Sequence, residues 1–301
     1  MNNLKSNITT PNIVSLGPSQ RLKDLSTLVK FRLNITVVFS AVMAYLIAAD
    51  NIVLQQVLLL ALGGFLITGA ANGINQVLEK DFDVLMKRTA NRPIAAGRMS
   101  VSSGVLYSGF MSLAGIVCLA LFNPLTAFLG MISFLLYAFV YTPLKRITPT
   151  SVIIGAIPGA LPMMIGVVAL SGGMTALALV LFGIQFFWQM PHFWAIAWLG
   201  SEDYNQAGFK IIPTANGKKD GSLGLQAFLY ALMLLPLSWA TYLIGINSIV
   251  TGILLSLAAL GYAYFGWMLY KKNDRKSARN LMFSSFFYLP FVLFVMLIDK
   301  I

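Results

Sequence analysis

The sequence has little charge and almost no cysteine. Only 10% of its 301 residues are Asp, Glu, Lys or Arg, and the mean hydropathy is +0.79. A water-soluble fold of this length needs much more surface charge, so the composition excludes that class and predicts a polytopic membrane protein. The single cysteine, Cys118, cannot form an intramolecular disulfide and is most simply a small packing residue.

The first residues of the sequence do not look like an apolar leader. The first 20 residues are polar, without the apolar core of a secretory signal or the Arg-rich character of a long transit peptide. We therefore expect direct insertion into a bacterial-type inner membrane. We also expect a polar N-terminal tail over residues 1–24 and one membrane domain over residues 25–301.

Long apolar runs are frequent, and each is long enough to cross a bilayer as a helix. They lie at about 29–49, 52–78, 102–122, 125–142, 151–171, 174–198, 223–246, 248–271 and 280–298. We therefore predict an all-α membrane bundle of nine transmembrane helices. A polar connection over residues 272–279 is expected before the last of them.

Positive charge follows an alternation of long and very short connections between these runs. The N-terminal segment and the long connections carry all but one of the 21 Lys and Arg residues, leaving Lys300 for the other side. The positive-inside rule then places the N-terminus in the cytoplasm and the C-terminus on the opposite side. Because topology accounts for the net charge of +11, we expect contact with membrane lipid and no nucleic-acid partner.

The most concentrated polar stretch follows the second apolar run. Asn75, Glu79 and Asp83 are spaced by four residues and would fall on one face of a helix, within about 80° of arc. Asp81 lies off that face and can join it only where the helix ends or bends. Carboxylates one turn apart repel each other, so the spacing costs helix stability unless a cation lies between them.

A basic run, Lys87, Arg88 and Arg92, follows this acidic face. A solvated helix end with an Asp83–Lys87 ion pair is the simpler alternative. Mg²⁺, however, commonly takes one or two protein carboxylates and fills its other positions with water and phosphate oxygens. Arg side chains neutralise and orient the same phosphates. The combination favours a metal–diphosphate site.

A second polar cluster, Glu202 and Asp203, follows the sixth apolar run. The predicted topology brings it to the same membrane face as the first. Two facing acidic clusters can hold two metals around one diphosphate and ionise an allylic group. Aromatic side chains between them can stabilise a carbocation through their π faces. An interfacial aromatic belt would account for Trp194 and Trp198 about as well as catalysis does.

The chain has one histidine, His192, which lies beside Pro191 within the sixth apolar run. An ionisable side chain inside a membrane span is a functional hypothesis by default. Imidazole is also an axial ligand of haem iron in many proteins. The residues alone leave two interpretations of His192 open, which are haem ligation and contact with another substrate.

Together these motifs resemble the intramembrane aromatic prenyltransferases, and within them the branch of protohaem IX farnesyltransferases (haem O synthases). The similarity extends over about residues 25–298. Beyond the first motif, which continues to Gly97, it rests on four segments: Tyr141–Pro149, Gly155–Pro162, Trp188–Phe193 and Asp203–Gly208.

The resemblance implies transfer of a farnesyl group from farnesyl diphosphate to a vinyl group of haem b, with hydration, which gives haem O and diphosphate. It implies Mg²⁺ as the cofactor and a nine-helix bundle whose active-site cavity opens to the cytoplasmic side. The product would be used by terminal oxidases, so an oxidase-assembly protein or haem A synthase is the implied protein partner.

The resemblance also implies roles for individual residues. Six would be catalytic: Asn75, Glu79, Asp81, Asp83, Asp203 and Tyr204. Five would be metal ligands: Asn75, Glu79, Asp83, Glu202 and Asp203. Five would bind the diphosphate: Lys87, Arg88, Arg92, Lys145 and Arg146. Three would contact the haem acceptor: Trp188, His192 and Phe193.

Two positions depart from the family pattern. Glu79 stands where Asp is commoner, which adds a methylene and keeps the ligand type. The second motif has fewer acids than that of the wider superfamily, and His192 occupies the position of its first aspartate. A specialised acceptor such as haem would account for this second departure.

Three other functions are compatible with parts of the sequence. A prenyltransferase acting on a quinone or phenolic precursor would share the chemistry and would not need His192. A non-catalytic haem-binding or transport protein would bind haem and release no diphosphate. A transporter or channel is compatible with nine spans, but its ionisable residues would usually lie near the bilayer midplane rather than at one interface.

Overall fold

The computed structural model describes residues 17–212 and 221–300, together with the backbone of residues 214–215 and 218–219. Residues 1–16, most of the predicted polar tail, lie outside the described residues. The rest of that tail forms the first two turns of helix α1 (Pro18–Leu28), so the predicted boundary at residue 24 falls inside a helix.

Thirteen further α-helices follow in the described chain. They are α2 (Phe31–Ala48), α3 (Leu54–Leu78), α4 (Lys80–Asp83), α5 (Val101–Ala120), α6 (Pro124–Leu135), α7 (Thr142–Leu144), α8 (Ser151–Ser171), α9 (Ala176–Leu199), α10 (Ser201–Gln206), α11 (Ser222–Leu232), α12 (Leu234–Leu243), α13 (Ile249–Lys272) and α14 (Arg275–Ile298). A π-helical turn, Leu136–Tyr141, joins α6 to α7. Two short strands, β1 (Thr214–Ala215) and β2 (Lys218–Lys219), pair antiparallel.

Nine helical segments within the described ranges are long and apolar enough to cross a membrane. This confirms the predicted all-α, multi-pass architecture. Seven of the segments are single helices: α2, α3, α5, α8, α9, α13 and α14. Two are composite, since Pro124–Leu144 runs through the π-helical turn into α7, and Ser222–Leu243 comprises α11 and α12.

The last span begins earlier than hydropathy predicts. The apolar run starts at residue 280, but α14 begins at Arg275, so the predicted connection over residues 272–279 is mostly helical. Asp274 is the cause, because its side chain accepts a hydrogen bond from the backbone N–H of Ser277 at 2.7 Å and caps the helix. Hydropathy carries no information about a capping residue.

Helix α8 lies at the centre of the bundle, against α2, α6 and α9, and stays continuous although it contains Pro158 and Pro162. Pro162 has no N–H for the carbonyl of Pro158. The hydroxyl of Ser133, on α6, donates to that carbonyl at 3.2 Å. A neighbouring helix thus satisfies the freed carbonyl, as the interior of a membrane requires.

Three segments meet at one end of the bundle, namely those that follow α3, α7 and α9. The backbone N–H of Lys210 donates to the carbonyl of Lys145 at 2.8 Å. The side chain of Arg146 donates to the carbonyl of Leu78, at the end of α3, at 2.9 Å. The two polar clusters predicted from the sequence are therefore at the same end of the bundle.

Candidate functional site

The acidic face predicted from residues 75–83 is buried in the structure. Asn75 lies on the last turn of α3, Asp83 ends α4, and Glu79 joins the two helices with a backbone that is not α-helical (φ −100°, ψ 9°). Their exposed fractions are 1%, 0% and 3%. A buried carboxylate is costly unless a cation or hydrogen-bond donors compensate it, so the partners of these side chains are informative.

Asp83 is paired with Arg92. The guanidinium Nη1 lies 2.7 Å from each of the two carboxylate oxygens, and the hydroxyl of Thr89 holds the intervening loop by donating to the carbonyl of Asp83 at 2.9 Å. Lys87 is exposed, so the alternative of a solvated helix end with an Asp83–Lys87 ion pair is wrong. Burial raises the pKa of the Asp83 carboxyl, and the Arg92 guanidinium opposes that rise.

Glu79 is paired with Lys145, which follows α7 and lies 66 residues further along the chain. The ammonium of Lys145 contacts Oε1 of Glu79. It also lies 4.9 Å from the ring centroid of Tyr141 and 5.5 Å from that of Phe209. Burial lowers the pKa of Lys145, and the Glu79 carboxylate opposes that fall.

Asn75 completes the set and is held by Lys30 and Thr142. Lys30 Nζ donates to Asn75 Oδ1 at 2.9 Å, and Asn75 Nδ2 donates to Thr142 Oγ1 at 3.1 Å. The hydroxyl of Thr142 in turn donates to the carbonyl of Tyr137 at 2.9 Å. Burial lowers the pKa of Lys30 well below its ordinary value.

Lys30 contacts this cluster, and the sequence analysis did not include it among the candidate site residues. It occupies the turn between α1 and α2 in a left-handed conformation (φ 48°, ψ 57°), which is uncommon for a residue with a side chain of this kind. The sequence presents it as one of many positive charges on the predicted cytoplasmic side. Its position directly before the first helix to cross the membrane was the only local signal.

The second cluster faces the first through Tyr204. Arg88 Nη2 donates to the hydroxyl oxygen of Tyr204 at 3.1 Å, and the Tyr204 ring meets Phe209 edge-on, with 6.2 Å between centroids. Glu202 is exposed and Asp203 is half-buried. Neither of these carboxylates forms an ion pair with the residues that the structure describes.

Three other predicted site residues lie at the rim of the first cluster. Asp81 and Lys87 are exposed. The guanidinium of Arg146 stacks on the ring of Phe82, 3.7 Å from its centroid, and bonds the end of α3 as described above. In this arrangement none of the three contacts Asn75, Glu79 or Asp83.

The first cluster fits a hard divalent cation. Within the described ranges, no group of three or more His, Cys, Asp or Glu side chains is placed to hold a metal, because the third polar residue of this face is an asparagine. Two carboxylates and an amide oxygen are nevertheless ligands that Mg²⁺ accepts when phosphate oxygens and water supply the rest. Each of the three already attracts one cationic side chain, from Lys30, Arg92 or Lys145.

An apolar cavity of about 310 Å³ lies inside the bundle next to this cluster. Tyr137 and Tyr141, on the π-helical turn, line the cavity beside the polar cluster, because Tyr141 is also the ring that faces the ammonium of Lys145. Trp188, His192 and Phe193 line another part of the wall. The cavity therefore has the three residues predicted to contact an acceptor in its wall, and the Tyr141 ring lies between the cavity and Lys145, the partner of Glu79.

The rings around His192 are closely packed. The imidazole is stacked on Trp188, with 5.3 Å between centroids and 15° between planes. The Phe286 ring is steeply inclined to it, with 5.2 Å between centroids and 69° between planes. The imidazole Nδ1 lies 2.6 Å from the hydroxyl oxygen of Ser285 on α14. Ser285, 93 residues from His192, is a second neighbour of the site that no local pattern indicated.

The chain matches the UbiA prenyltransferase family over residues 37–289. It is 43% identical over 284 residues to a protoheme IX farnesyltransferase of Christiangramia forsetii, which covers 93% of this chain and 94% of that relative. It is 44% identical over 277 residues to a protoheme IX farnesyltransferase of Cytophaga hutchinsonii, with coverage of 91% and 96%.

Solved structures share the fold at lower identity. A digeranylgeranylglyceryl phosphate synthase superposes with a TM-score of 0.78 at 18% identity, covering 93% of this chain and 98% of that one. A UbiA homologue from Archaeoglobus fulgidus bound to DMAPP and Mg²⁺ superposes with a TM-score of 0.67 at 16% identity, covering 91% and 99%.

Proposed function

Because the chain belongs to the UbiA prenyltransferase family, we propose that it transfers a farnesyl group from farnesyl diphosphate to a vinyl group of haem b, giving haem O and diphosphate. The observation that carries this function is identity above 40% over nearly the whole chain to proteins named protoheme IX farnesyltransferase. The cavity supports it, since the only histidine of the sequence lines an apolar space that also contains Tyr141, the ring beside Lys145 of the diphosphate-type cluster.

The buried cluster binds and orients the leaving group in this proposal. Asn75, Glu79 and Asp83 would hold Mg²⁺, which supplies positive charge to the departing diphosphate when it is bound. Lys30, Arg92 and Lys145 hold the three side chains in the structure. These three side chains are flexible, so their cationic groups can turn toward phosphate oxygens when the substrate enters. They would then exchange their contacts with Asn75, Asp83 and Glu79 for contacts with the diphosphate.

The proposed reaction balances when water is the third reactant. The vinyl π-bond of haem b attacks C1 of the farnesyl chain while the C1–oxygen bond breaks, and that electron pair leaves with diphosphate. Water adds to the carbocation left on the vinyl group and loses a proton, which forms the hydroxyl. The Tyr141 ring, which already faces an ammonium at 4.9 Å, can stabilise positive charge at this end of the cavity.

The other predicted residues have supporting roles in the same proposal. Lys87, Arg88 and Arg146 would supply further positive charge for the diphosphate at the rim, and Asp81 would support the first metal. Glu202 and Asp203, with Tyr204 nearby, would serve a second metal. Trp188, His192 and Phe193 receive the haem. The half-exposed position of Asp203 and the hydrogen bond between Arg88 and Tyr204 support this arrangement.

The proposal includes an orientation in the membrane. The concentration of Lys and Arg on one side supports a cytoplasmic N-terminus, a cavity that opens to the cytoplasm and a C-terminus on the opposite side of an inner membrane. An oxidase-assembly protein or haem A synthase is the partner that would receive the product.

A membrane assay tests the reaction. Membranes containing the protein are incubated with haem b, farnesyl diphosphate and Mg²⁺, and extracted haem is analysed by chromatography and mass spectrometry. We expect a farnesylated, hydrated haem that is absent with EDTA and with Asp83→Ala. Unchanged haem from protein that still binds farnesyl diphosphate would refute haem as the acceptor and would favour a quinone or phenolic precursor.

A further inference from the structure

The hydrogen bonds of Ser285 determine which nitrogen of His192 carries the proton. The Ser285 hydroxyl donates to the carbonyl of Met282, in the preceding turn of α14. A serine hydroxyl has one proton to donate, so its oxygen can only accept from the imidazole, 2.6 Å away. With the Ser285 proton assigned to the Met282 carbonyl, His192 carries its proton on Nδ1 and the lone pair lies on Nε2.

The same residue also orients the ring beside the histidine. The indole N–H of Trp188 donates to the backbone carbonyl of Ser285 at 2.9 Å, and the indole stacks on the imidazole. Ser285 thus fixes the tautomer of His192 through its side chain and the plane of His192, by way of Trp188, through its carbonyl. Its side chain is fully buried and does not itself line the cavity.

Nε2 of His192 is left without a hydrogen-bond partner among the described residues, while the ring lines the cavity. A buried imidazole nitrogen with a free lone pair is the form that binds iron, and a hydrogen bond from the other ring nitrogen both orients the ring and raises its basicity. The flat aromatic surfaces of Phe193 and Phe286 beside it suit a porphyrin plane.

We propose that Nε2 of His192 is the axial ligand of the acceptor haem iron, and that Ser285 is a positioning residue that presents this nitrogen. The inference rests on the proposed function, since it requires haem as the acceptor. Ligation at the iron places the centre of the porphyrin at a fixed distance from His192. The vinyl groups at its edge are thereby held at a defined distance from the wall that carries the imidazole.

The experiment is a haem b titration of the purified protein, with absorbance for affinity and resonance Raman spectroscopy of the ferrous complex for the iron–histidine bond. Ser285→Ala is expected to weaken haem affinity about tenfold and to move the iron–histidine stretching band to lower frequency. Ser285→Thr, which keeps the hydroxyl, should retain both properties. His192→Ala should lose the band, and added imidazole should restore an iron–nitrogen band.

Ser284→Ala is the matched control. The Ser284 hydroxyl donates to the carbonyl of Leu281 at 2.8 Å, the same type of bond one residue earlier, without contact to His192. We expect wild-type affinity and spectra. Farnesyl diphosphate binding by each variant verifies that it is folded.

Two results separate this inference from the proposed function. If Ser285→Ala gives the wild-type affinity and band, or His192→Ala keeps the band, the inference is overturned while farnesylation of haem stands. If the wild-type protein binds farnesyl diphosphate but neither binds nor farnesylates haem b, the proposed function fails, and the inference fails with it.

Discussion

The two ends of the bundle hold their aspartates in different ways. At one end Asp83 is buried against the guanidinium of Arg92. At the other, a single carboxylate oxygen of Asp299 accepts hydrogen bonds from the backbone N–H of Ser248 at 2.9 Å, from its hydroxyl at 2.6 Å and from the hydroxyl of Thr251 at 2.6 Å.

The two aspartates differ in the mobility of the groups that bind them. Ser248 precedes α13 and Asp299 follows α14, so the neutral donors are fixed by the backbone and tie two helix ends together. Arg92 has a long side chain that can rotate toward another anion. We infer that the Asp83 end is built for exchange of ligands and the Asp299 end for stability.

Asp83→Asn should give the largest effect among the tests of this difference between the two ends. It removes the charge that binds Arg92 and would hold the metal, so we expect the rate of haem farnesylation to fall at least about a hundredfold. Asp81 is an exposed neighbour, and the fall in the rate for Asp81→Asn should be about tenfold smaller. Equal losses, measured in the membrane assay, would show that burial and pairing do not distinguish the two aspartates.

Lys30→Met should give the next largest effect. Nζ of Lys30 is bonded to Asn75 in the described structure, and loss of a charged hydrogen bond at the diphosphate site should raise KM for farnesyl diphosphate about tenfold. The control is Lys80→Met, since Lys80 is adjacent to Glu79 and exposed. A KM equal to that of the control would exclude Lys30 from the binding of the substrate.

Asp299→Ala should affect stability and leave catalysis intact. Removing the acceptor of three hydrogen bonds loosens α13 from α14, so the melting temperature in detergent should fall while the farnesylation rate stays within about twofold. Asp50→Ala is the control at the same end, because Asp50 is exposed and lies 3.8 Å from Lys300. A large loss of activity in Asp299→Ala would contradict the proposed division between the ends.

The smallest effect is a pH dependence of that stability. The hydroxyls of Ser248 and Thr251 lower the pKa of Asp299, so the folded pKa lies below that of the unfolded chain. The ionised carboxylate stabilises the fold fully above the unfolded value, about 3.9, and this contribution is lost as pH falls through the folded pKa. Melting temperatures of wild type and Asp299→Asn should differ at pH 6, and the difference should shrink as the pH falls further below about 4, through the folded pKa. A gap that persists in acid would refute this.

Much of the architecture was predictable because helix length and hydropathy alone decide which segments can cross a bilayer. The helical period also predicted Asn75, Glu79 and Asp83 on one face, although the helix is interrupted at Glu79. Their partners were not predictable, because a local i, i+4 rule selects Lys87 for Asp83, whereas the loop held by Thr89 delivers Arg92. A pairing of this kind depends on tertiary structure.

The histidine and its support show the same limit. His192 could be recognised as functional from its position inside an apolar run, since an ionisable residue there is costly. Ser285 lies in another apolar run, where a serine reads as a small packing residue. The role of Ser285 follows from the packing of α14 against α9, which brings the Ser285 hydroxyl to the His192 imidazole.

The π-helical turn Leu136–Tyr141 has a consequence for the phase of the helix that contains it. A π-helical turn is equivalent to one inserted residue in an α-helix, and deleting one residue would rotate everything after it by about 100°. Thr142 and Lys145 would turn away from Asn75 and Glu79, while α6 would keep its packing. The extra residue therefore sets the rotation of the second half of the span relative to the first. One continuous span can then pack within the membrane through its first half and present polar side chains to the cluster through its second half.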